Sequence, residues 1–261
     1  MPENKGVKVT LLGTGTSHGV PMIGCDCSVC MSDDPRDKRT RASVVVTMSG
    51  KTFLIDTSPE LRLQCVANNV NHVDAVLFTH AHADHVTGMD DLRRFNWLSR
   101  STLDCYGSKA TLASIRNMFA YIFHDDPDYP SHKPSLSLVE IDDGPLTIAG
   151  VNVTPIPLLH GTLPVYGFRF GNFAYCTDCN QIPADSLKRL QNLDVLILDA
   201  LRDTRHPTHF NLVEAVAMAT RIGARRTFFT HMAHALGHAA TNGKLPDSMA
   251  LAHDGLVVES S

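Results

Sequence analysis

The chain has 261 residues, of which 43% are hydrophobic and 19% charged, the balance of a folded protein in water. No apolar run approaches the roughly 20 residues of a membrane helix, and a net charge of −4 offers nucleic acid or an anionic membrane no overall attraction. The opening MPENKGVKVT lacks an apolar signal core, so a cytoplasmic protein with one compact domain over residues 1–261 is expected.

Lys8 to Leu12 reads as a first strand, and GTGTSHGVP from Gly13 to Pro21 as a glycine-rich turn that lets backbone approach a ligand. No Walker or dinucleotide fingerprint completes it, so the turn alone carries no phosphate assignment. Three thiols follow within six residues, Cys25, Cys27 and Cys30. In a reducing compartment they suit a metal better than disulfides, and a structural zinc would need a fourth ligand from elsewhere. Asp33 to Arg41 (DDPRDKRTR) reads as a solvated, mixed-charge loop. Ala42 to Thr47 and Thr52 to Asp56 are strands joined by a turn at Ser49-Gly50-Lys51. Asp56 ends a buried strand, where an unpaired carboxylate is costly, and a ligand histidine would satisfy it. Pro59 opens a helix over Glu60 to Asn69, with Leu61, Cys65 and Val66 on one face.

Val73 to Thr79 (VDAVLFT) is apolar and β-branched, a buried strand, and it delivers His80-Ala81-His82-Ala83-Asp84-His85 at its mouth. Four metal-binding side chains in six residues are hard to explain as packing. In extended chain His80 and His82 point the same way, while Asp84 and His85 follow as the chain turns toward a helix, which suits two ions better than one. Imidazole with carboxylate favours zinc or a similar transition ion over calcium or magnesium. Gly88 to Trp97 continues as an irregular or helical segment, and Leu103 to Tyr106 as a short strand. Ser108 caps a helix carrying Leu112, Ile115, Phe119 and Ile122 on one side. His124 to Lys133 (HDDPDYPSHK) reads as a loop able to overhang a site or touch a second subunit, so a homodimer is compatible with it.

Strands at Leu136 to Ile141, Leu146 to Ile148 and Val151 to Leu158 deliver His160 just past a strand end. Val165 to Phe170 and Ala174 to Cys176 form a hairpin that delivers Thr177-Asp178-Cys179. Leu193 to Leu198 is another buried strand, Leu212 to Ile222 a helix, and Arg226 to Thr230 a last strand ending at His231. A polar residue suited to ligation recurs at strand ends, which argues for one site along the shared edge of two sheets. Cys176 and Cys179, without thioredoxin context, read as small buried residues, as does Cys65.

The hexapeptide HAHADH resembles the signature of the metallo-β-lactamase superfamily, and the resemblance extends over nearly the whole chain. It implies an α/β fold, a four-layered αββα sandwich of two mixed sheets. It also implies a dinuclear centre, with His80, His82 and His160 on the first ion, Asp84, His85 and His231 on the second, and Asp178 bridging both. Two divalent ions, zinc or manganese, roughly 3.5 to 4 Å apart can share a hydroxide and clamp both oxygens of an in-line displacement.

The opening LLGTGTSHGVP, the CDCSVC cluster and His209 in DTRHPTHFNLVEA together look like the phosphoribosyl cyclic phosphodiesterases of bacterial phosphonate degradation. That resemblance implies one structural zinc held by Cys25, Cys27, Cys30 and His234. It also implies His209 as the group that contacts the substrate phosphate and protonates the leaving oxygen, with Asp84 and Asp178 serving catalysis from the metal centre. A ribose alkoxide is a poor leaving group, and histidine is the natural acid for it near neutral pH. His206 reads as an exposed loop histidine, and Asp199 and Asp254 are left unassigned. The expected activity is hydrolysis of a small, cyclic phosphodiester such as a ribose cyclic phosphate. Two alternatives share this scaffold, a tRNA 3′-processing nuclease and an enzyme like pyrroloquinoline quinone biosynthesis protein B. The first lacks support, because no basic arm is present to hold nucleic acid.

Overall fold

The computed structural model describes residues 6–124 and 132–260. Its first sheet runs in the order β14 (Val257–Ser260), β1 (Val7–Gly13), β2 (Ser43–Met48), β3 (Lys51–Ile55), β4 (Ala75–Leu77), β5 (Leu103–Gly107) and β6 (Leu136–Glu140). The second runs β13 (Met249–Leu251), β12 (Arg226–Thr230), β11 (Val195–Asp199), β10 (Phe173–Cys176), β9 (Leu163–Phe170), β8 (Val151–His160) and β7 (Leu146–Ile148). Helices α1 (Leu61–Ala67), α2 (Ala83–Val86), α3 (Arg93–Ser99), α4 (Lys109–Met118) and α5 (Ala120–Phe123) come from the first half. The second half supplies α6 (Ala184–Arg189), α7 (Leu212–Ile222) and α8 (His238–Asn242).

Each sheet is antiparallel at one end and parallel at the other. Short turns make the antiparallel pairs β2–β3, β8–β9 and β9–β10, while the long segment 14–42 joins β1 to its antiparallel partner β2. Helical crossovers make the parallel pairs β3–β4, β4–β5, β10–β11 and β11–β12. The period of two along a strand then sorts the side chains into layers. Val44, Val46, Phe53 and Ile55 face the second sheet, where Phe53 and Phe170 meet with ring centroids 5.2 Å apart. Val45 and Leu54 point the other way, into a layer with Leu61, Val86, Met89, Leu92 and Ile115 of the covering helices. The outer face of the second sheet takes Ala215 and Ala219 of α7. The result is the αββα sandwich, with its main core between the sheets.

Some sequence readings shift. The strand before the histidine cluster is shorter than expected, Ala75–Leu77, and His160 is the last residue of β8, paired with Leu163, rather than lying beyond it. The helix capped by Ser108 breaks at Phe119, whose ψ of 40° leaves helical space, so the expected single helix is α4 and α5. Val66 is 71% exposed and does not share the buried face of Leu61 and Cys65. β13, β14, α6 and α8 carry too little apolar periodicity to be foreseen. Residues 125–131 of the expected loop lie outside the described residues. Among the described residues, no helix is long and apolar enough to cross a membrane.

Parallel strands put all their C-terminal ends on one edge. β3, β4, β10, β11 and β12 therefore release Asp56, the 80–85 segment, Asp178, Asp199 and His231 along a single line. Asp56, Asp178 and His231 all turn there with left-handed φ of 63°, 50° and 60°. The segment that carries His209 is fixed from the far side by α7. There Asn211 Oδ1 accepts from Glu214 N at 2.9 Å while Asn211 N donates to Glu214 Oε2 at 3.0 Å. Asn211→Ala should lower unfolding free energy by about 0.5–2 kcal/mol, read from urea midpoints, and an unchanged midpoint would show that the cap contributes nothing.

Candidate metal centre

Asp56 organises the first half of the site. Its Oδ1 accepts from Thr79 N at 2.9 Å, and its Oδ2 accepts from Thr79 Oγ1 at 2.8 Å and lies 2.8 Å from His85 Nδ1. Because the Thr79 hydroxyl donates to Asp56, its oxygen is left to accept from His80 Nδ1 at 3.0 Å. His160 Nδ1 donates to the Thr208 carbonyl at 2.9 Å. These bonds engage Nδ1 of all three rings and leave Nε2 facing the site, as the nitrogen available to a metal.

The Nε2 atoms of His80, His85 and His231 converge on Asp178. His85 Nε2 lies 3.2 Å from Asp178 Oδ1, and His231 Nε2 and His80 Nε2 lie 3.2 and 3.8 Å from Oδ2. Asp84 Oδ2 is 3.4 Å from both His85 Nε2 and His231 Nε2. The donor atoms of His80, His82, His160 and Asp178 lie within 4.8 Å of one another, as do those of Asp84, His85, Asp178 and His231, so Asp178 is common to both sets. Every residue expected at the dinuclear centre is thus brought to one place.

The donor set fits divalent ions. Nε2 of His80 and of His85 is buried without a hydrogen-bond partner among the described residues, although carboxylate oxygens stand close by. A lone pair facing a carboxylate is repelled unless positive charge lies between them. The electrostatics give the same answer. Burial opposes charge on His85, but Asp178, Asp56 and Asp84 outweigh it and hold the imidazole protonated well above its ordinary range; His231, also opposed by burial, is raised by Asp178, Asp84 and Asp199. Burial also opposes charge on Asp178, yet His231 and His85 hold its carboxyl far below the usual range.

A second cluster joins Cys25, Cys27 and Cys30 to His234, whose Nδ1 lies 3.1, 3.4 and 3.7 Å from the three sulfurs. The Cys30 amide donates to Cys27 Sγ at 3.5 Å and draws that thiol down to about 6, toward the thiolate that binds metal. Three sulfurs and one imidazole are a closed tetrahedral donor set for zinc.

His209 stands beside the first centre, with its ring 4.5 Å from that of His160 and stacked 4.8 Å from that of His231. Asp199 Oδ1 lies 3.0 Å from His209 Nδ1 and Asp199 Oδ2 accepts from Phe210 N at 3.0 Å, so Asp199 orients this ring. Burial, with the charge on His231, takes His209 down to about 4. His206 is not the exposed loop residue expected, since it is half-buried with its ring 5.1 Å from that of His209. Asp254 belongs elsewhere and accepts from Thr14 and Thr40. Sequence reasoning missed Thr79 and Thr208, because a threonine beside a histidine gives no signal until the fold turns it. Cys176 and Cys179 are fully buried, as expected.

The beta-lactamase superfamily domain matches residues 51–232, so the chain belongs to that superfamily, as a metal-dependent hydrolase. Within it the chain lies near PhnP: a structure described as a new diphosphatase from the PhnP family superposes with a TM-score of 0.91. That structure is 41% identical, with 98% of this chain and 97% of that one covered. An octanoyltransferase from Porphyromonas gingivalis is 38% identical over 257 residues. The match takes in 96% of this chain but 51% of that protein, so the chain spans about half the length of this relative. A ribonuclease Z from Mycolicibacterium gilvum is 26% identical, with 86% of this chain and 84% of the relative covered. Zinc-bound PqqB from Methylobacterium extorquens, at 21% identity and a TM-score of 0.76, shares the fold.

Metal uptake should release protons, because His85 and His231 are held protonated and must give up their protons to ligate. Calorimetric titration of the chelated protein with zinc near pH 7 should give heats that change with the ionisation enthalpy of the buffer in the sense of proton release. Heats independent of buffer would contradict this electrostatic picture. Asp56→Asn should weaken the position containing His85 by about 10- to 100-fold, measured by chelator competition.

Proposed function

We propose that the protein is a phosphodiesterase that hydrolyses a small phosphodiester, such as a ribose cyclic phosphate. The observation that carries this reading is the position of the Asp199–His209 pair, between the Asp178 centre and a cavity of about 460 Å³. That cavity is lined by Thr16, Ser17, His18, Arg202, His206 and His209 among others, and its volume suits a small molecule. Arg202 is the one arginine or lysine among its described lining residues, which is little for a polynucleotide. A larger groove of about 940 Å³, between Leu61, Val66, Phe95 and Trp97, contains none of the cluster residues.

In this reading His80, His82, His160, Asp84, His85 and His231 hold two divalent ions, zinc or manganese, with Asp178 common to both. Cys25, Cys27, Cys30 and His234 hold a structural zinc. The paired ions supply Lewis acidity and a nucleophile at neutral pH. The remaining chemistry belongs to the chain. Asp199 fixes His209 with Nε2 toward the cavity. A phosphate anion beside that nitrogen favours its protonated form, against the burial that lowers it in the free protein. As water attacks phosphorus and the opposite P–O bond breaks, His209 gives its proton to the departing sugar oxygen, leaving an alcohol and a phosphomonoester. A diphosphate linkage would break by the same attack, a second reading favoured by the PhnP-family neighbour, a diphosphatase. A cytoplasmic location, a small-molecule partner rather than nucleic acid or membrane, and a homodimer complete the proposal.

General acid help is worth about 100- to 10,000-fold, and more for a basic leaving group. His209→Ala should therefore cripple hydrolysis of a ribose cyclic phosphate and spare bis(p-nitrophenyl) phosphate, whose phenolate needs little protonation, with metal content unchanged. Equal losses on both substrates would move His209 to phosphate binding. Asp178→Ala should strip the shared centre of metal and activity while circular dichroism keeps the fold, and a fully active variant would sink the shared-ligand assignment. A panel adding a nucleoside diphosphate, a precursor tRNA and a β-lactam tests the substrate class. Turnover confined to tRNA or the lactam would overturn it.

A further inference from the structure

The charged loop from Asp33 to Arg41 hides one residue that does not behave as a loop residue. The Arg39 side chain is 0% exposed, and its partner Asp37 is buried with it, NH2 to Oδ1 at 3.2 Å. A buried guanidinium is costly unless its donors are satisfied. Here NH1 donates to the Ala233 carbonyl at 3.1 Å and NH2 to the Leu236 carbonyl at 2.5 Å, while Nε is buried without a partner among the described residues. Asp37 Oδ1 accepts from His238 N at 2.7 Å, so the pair also grips the chain just past the turn that carries those carbonyls, at the start of α8.

That turn joins the two metal clusters. His231 faces Asp178 and Asp84, and His234, three residues on, faces the three cysteines. Between them Met232 is pinned by Met232 N to the Thr14 carbonyl at 2.9 Å and by Thr16 N to the Met232 carbonyl at 3.1 Å. On the cysteine side, Lys38 Nζ donates to the Cys30 carbonyl at 3.1 Å. His231 itself holds a left-handed φ of 60°, which an unsupported residue would tend to leave. The carbonyls bound by Arg39 bracket His234, so the guanidinium sets the path of the segment that both histidines share.

We propose that Arg39 is a positioning residue that couples the two clusters. It holds the 231–236 turn so that a metal bound by the cysteines and His234 fixes His231 for the ion shared with Asp84, His85 and Asp178. The coupling rests on the geometry of the two clusters and not on the phosphodiesterase reading.

The test uses the metal-loaded 261-residue chain and follows affinity rather than turnover. Cobalt(II) substitution with chelator competition separates the two positions of the dinuclear centre. Arg39→Met keeps the stem and removes the donors. It should weaken the position containing His231 by about 10- to 100-fold, the usual cost of losing an outer hydrogen-bond partner, and leave the position containing His80, His82 and His160 unmoved. Arg39→Lys should recover part of the loss. Cys27→Ser, which disrupts the other cluster, should weaken the same His231 position. Val46→Ala, in the core of β2, controls for lowered stability and should move neither affinity. If Arg39→Met does not fold, Asp37→Asn takes its place and should act in the same direction. Equal weakening of both positions, or a lowered melting temperature with both affinities intact, would overturn the coupling.

Discussion

The Asp178 carboxylate among three imidazole nitrogens is the constraint on which the site depends. Those nitrogens approach to 3.2, 3.2 and 3.8 Å, and a carboxylate buried that deeply is stable only while positive charge is shared with it. Thr79 and Asp56 turn His80 and His85 so that Nε2 of each faces that carboxylate, and the Thr208 carbonyl orients His160 beside them. The left-handed turns at Asp56, Asp178 and His231 place those side chains back over the strand ends instead of letting the chain run on. The sandwich is a frame that brings strand ends to one edge, and the energy of its core holds these locally unfavourable turns in place.

Much of this was legible in the sequence, because the signals that mattered were strong and local. HAHADH after an apolar run announced both a strand end and a metal site. The helix at Leu212–Ile222 and the strand at Arg226–Thr230 were read with the boundaries the structure shows, since caps and apolar periodicity agree there. What stayed hidden was decided by tertiary position. Asp199 could not be assigned until its strand was seen to end beside His209. Arg39 looked solvated because a charged residue in a charged loop is usually so. His206 looked exposed because nothing local reveals that its loop folds back onto the cavity. β13 and β14 are short edge strands whose partners, rather than their own composition, make them strands.

The cavity beside the centre is walled by three segments, following β1, β11 and β12, while the ligands come from several strand ends. Most of the cavity wall is therefore carried by pieces of chain separate from the ligands, and only the stretch after β12 serves both. Relatives at 19–21% identity keep the fold under names as different as PqqB and human tRNase Z. A frame that leaves its walls free to vary accounts for that breadth.

The distance along the chain between Cys30 and His234 is 204 residues. During synthesis from the N-terminus the three thiols leave the ribosome well before His234, their fourth ligand. At roughly 5–20 residues per second the trio spends on the order of ten seconds or more as an open, incomplete chelator. For that interval it is exposed to oxidants and to soft metal ions that three thiolates bind well. Faithful metallation of this fold is therefore partly a matter of timing, and the nascent chain is at its most vulnerable well before the hydrolytic centre exists.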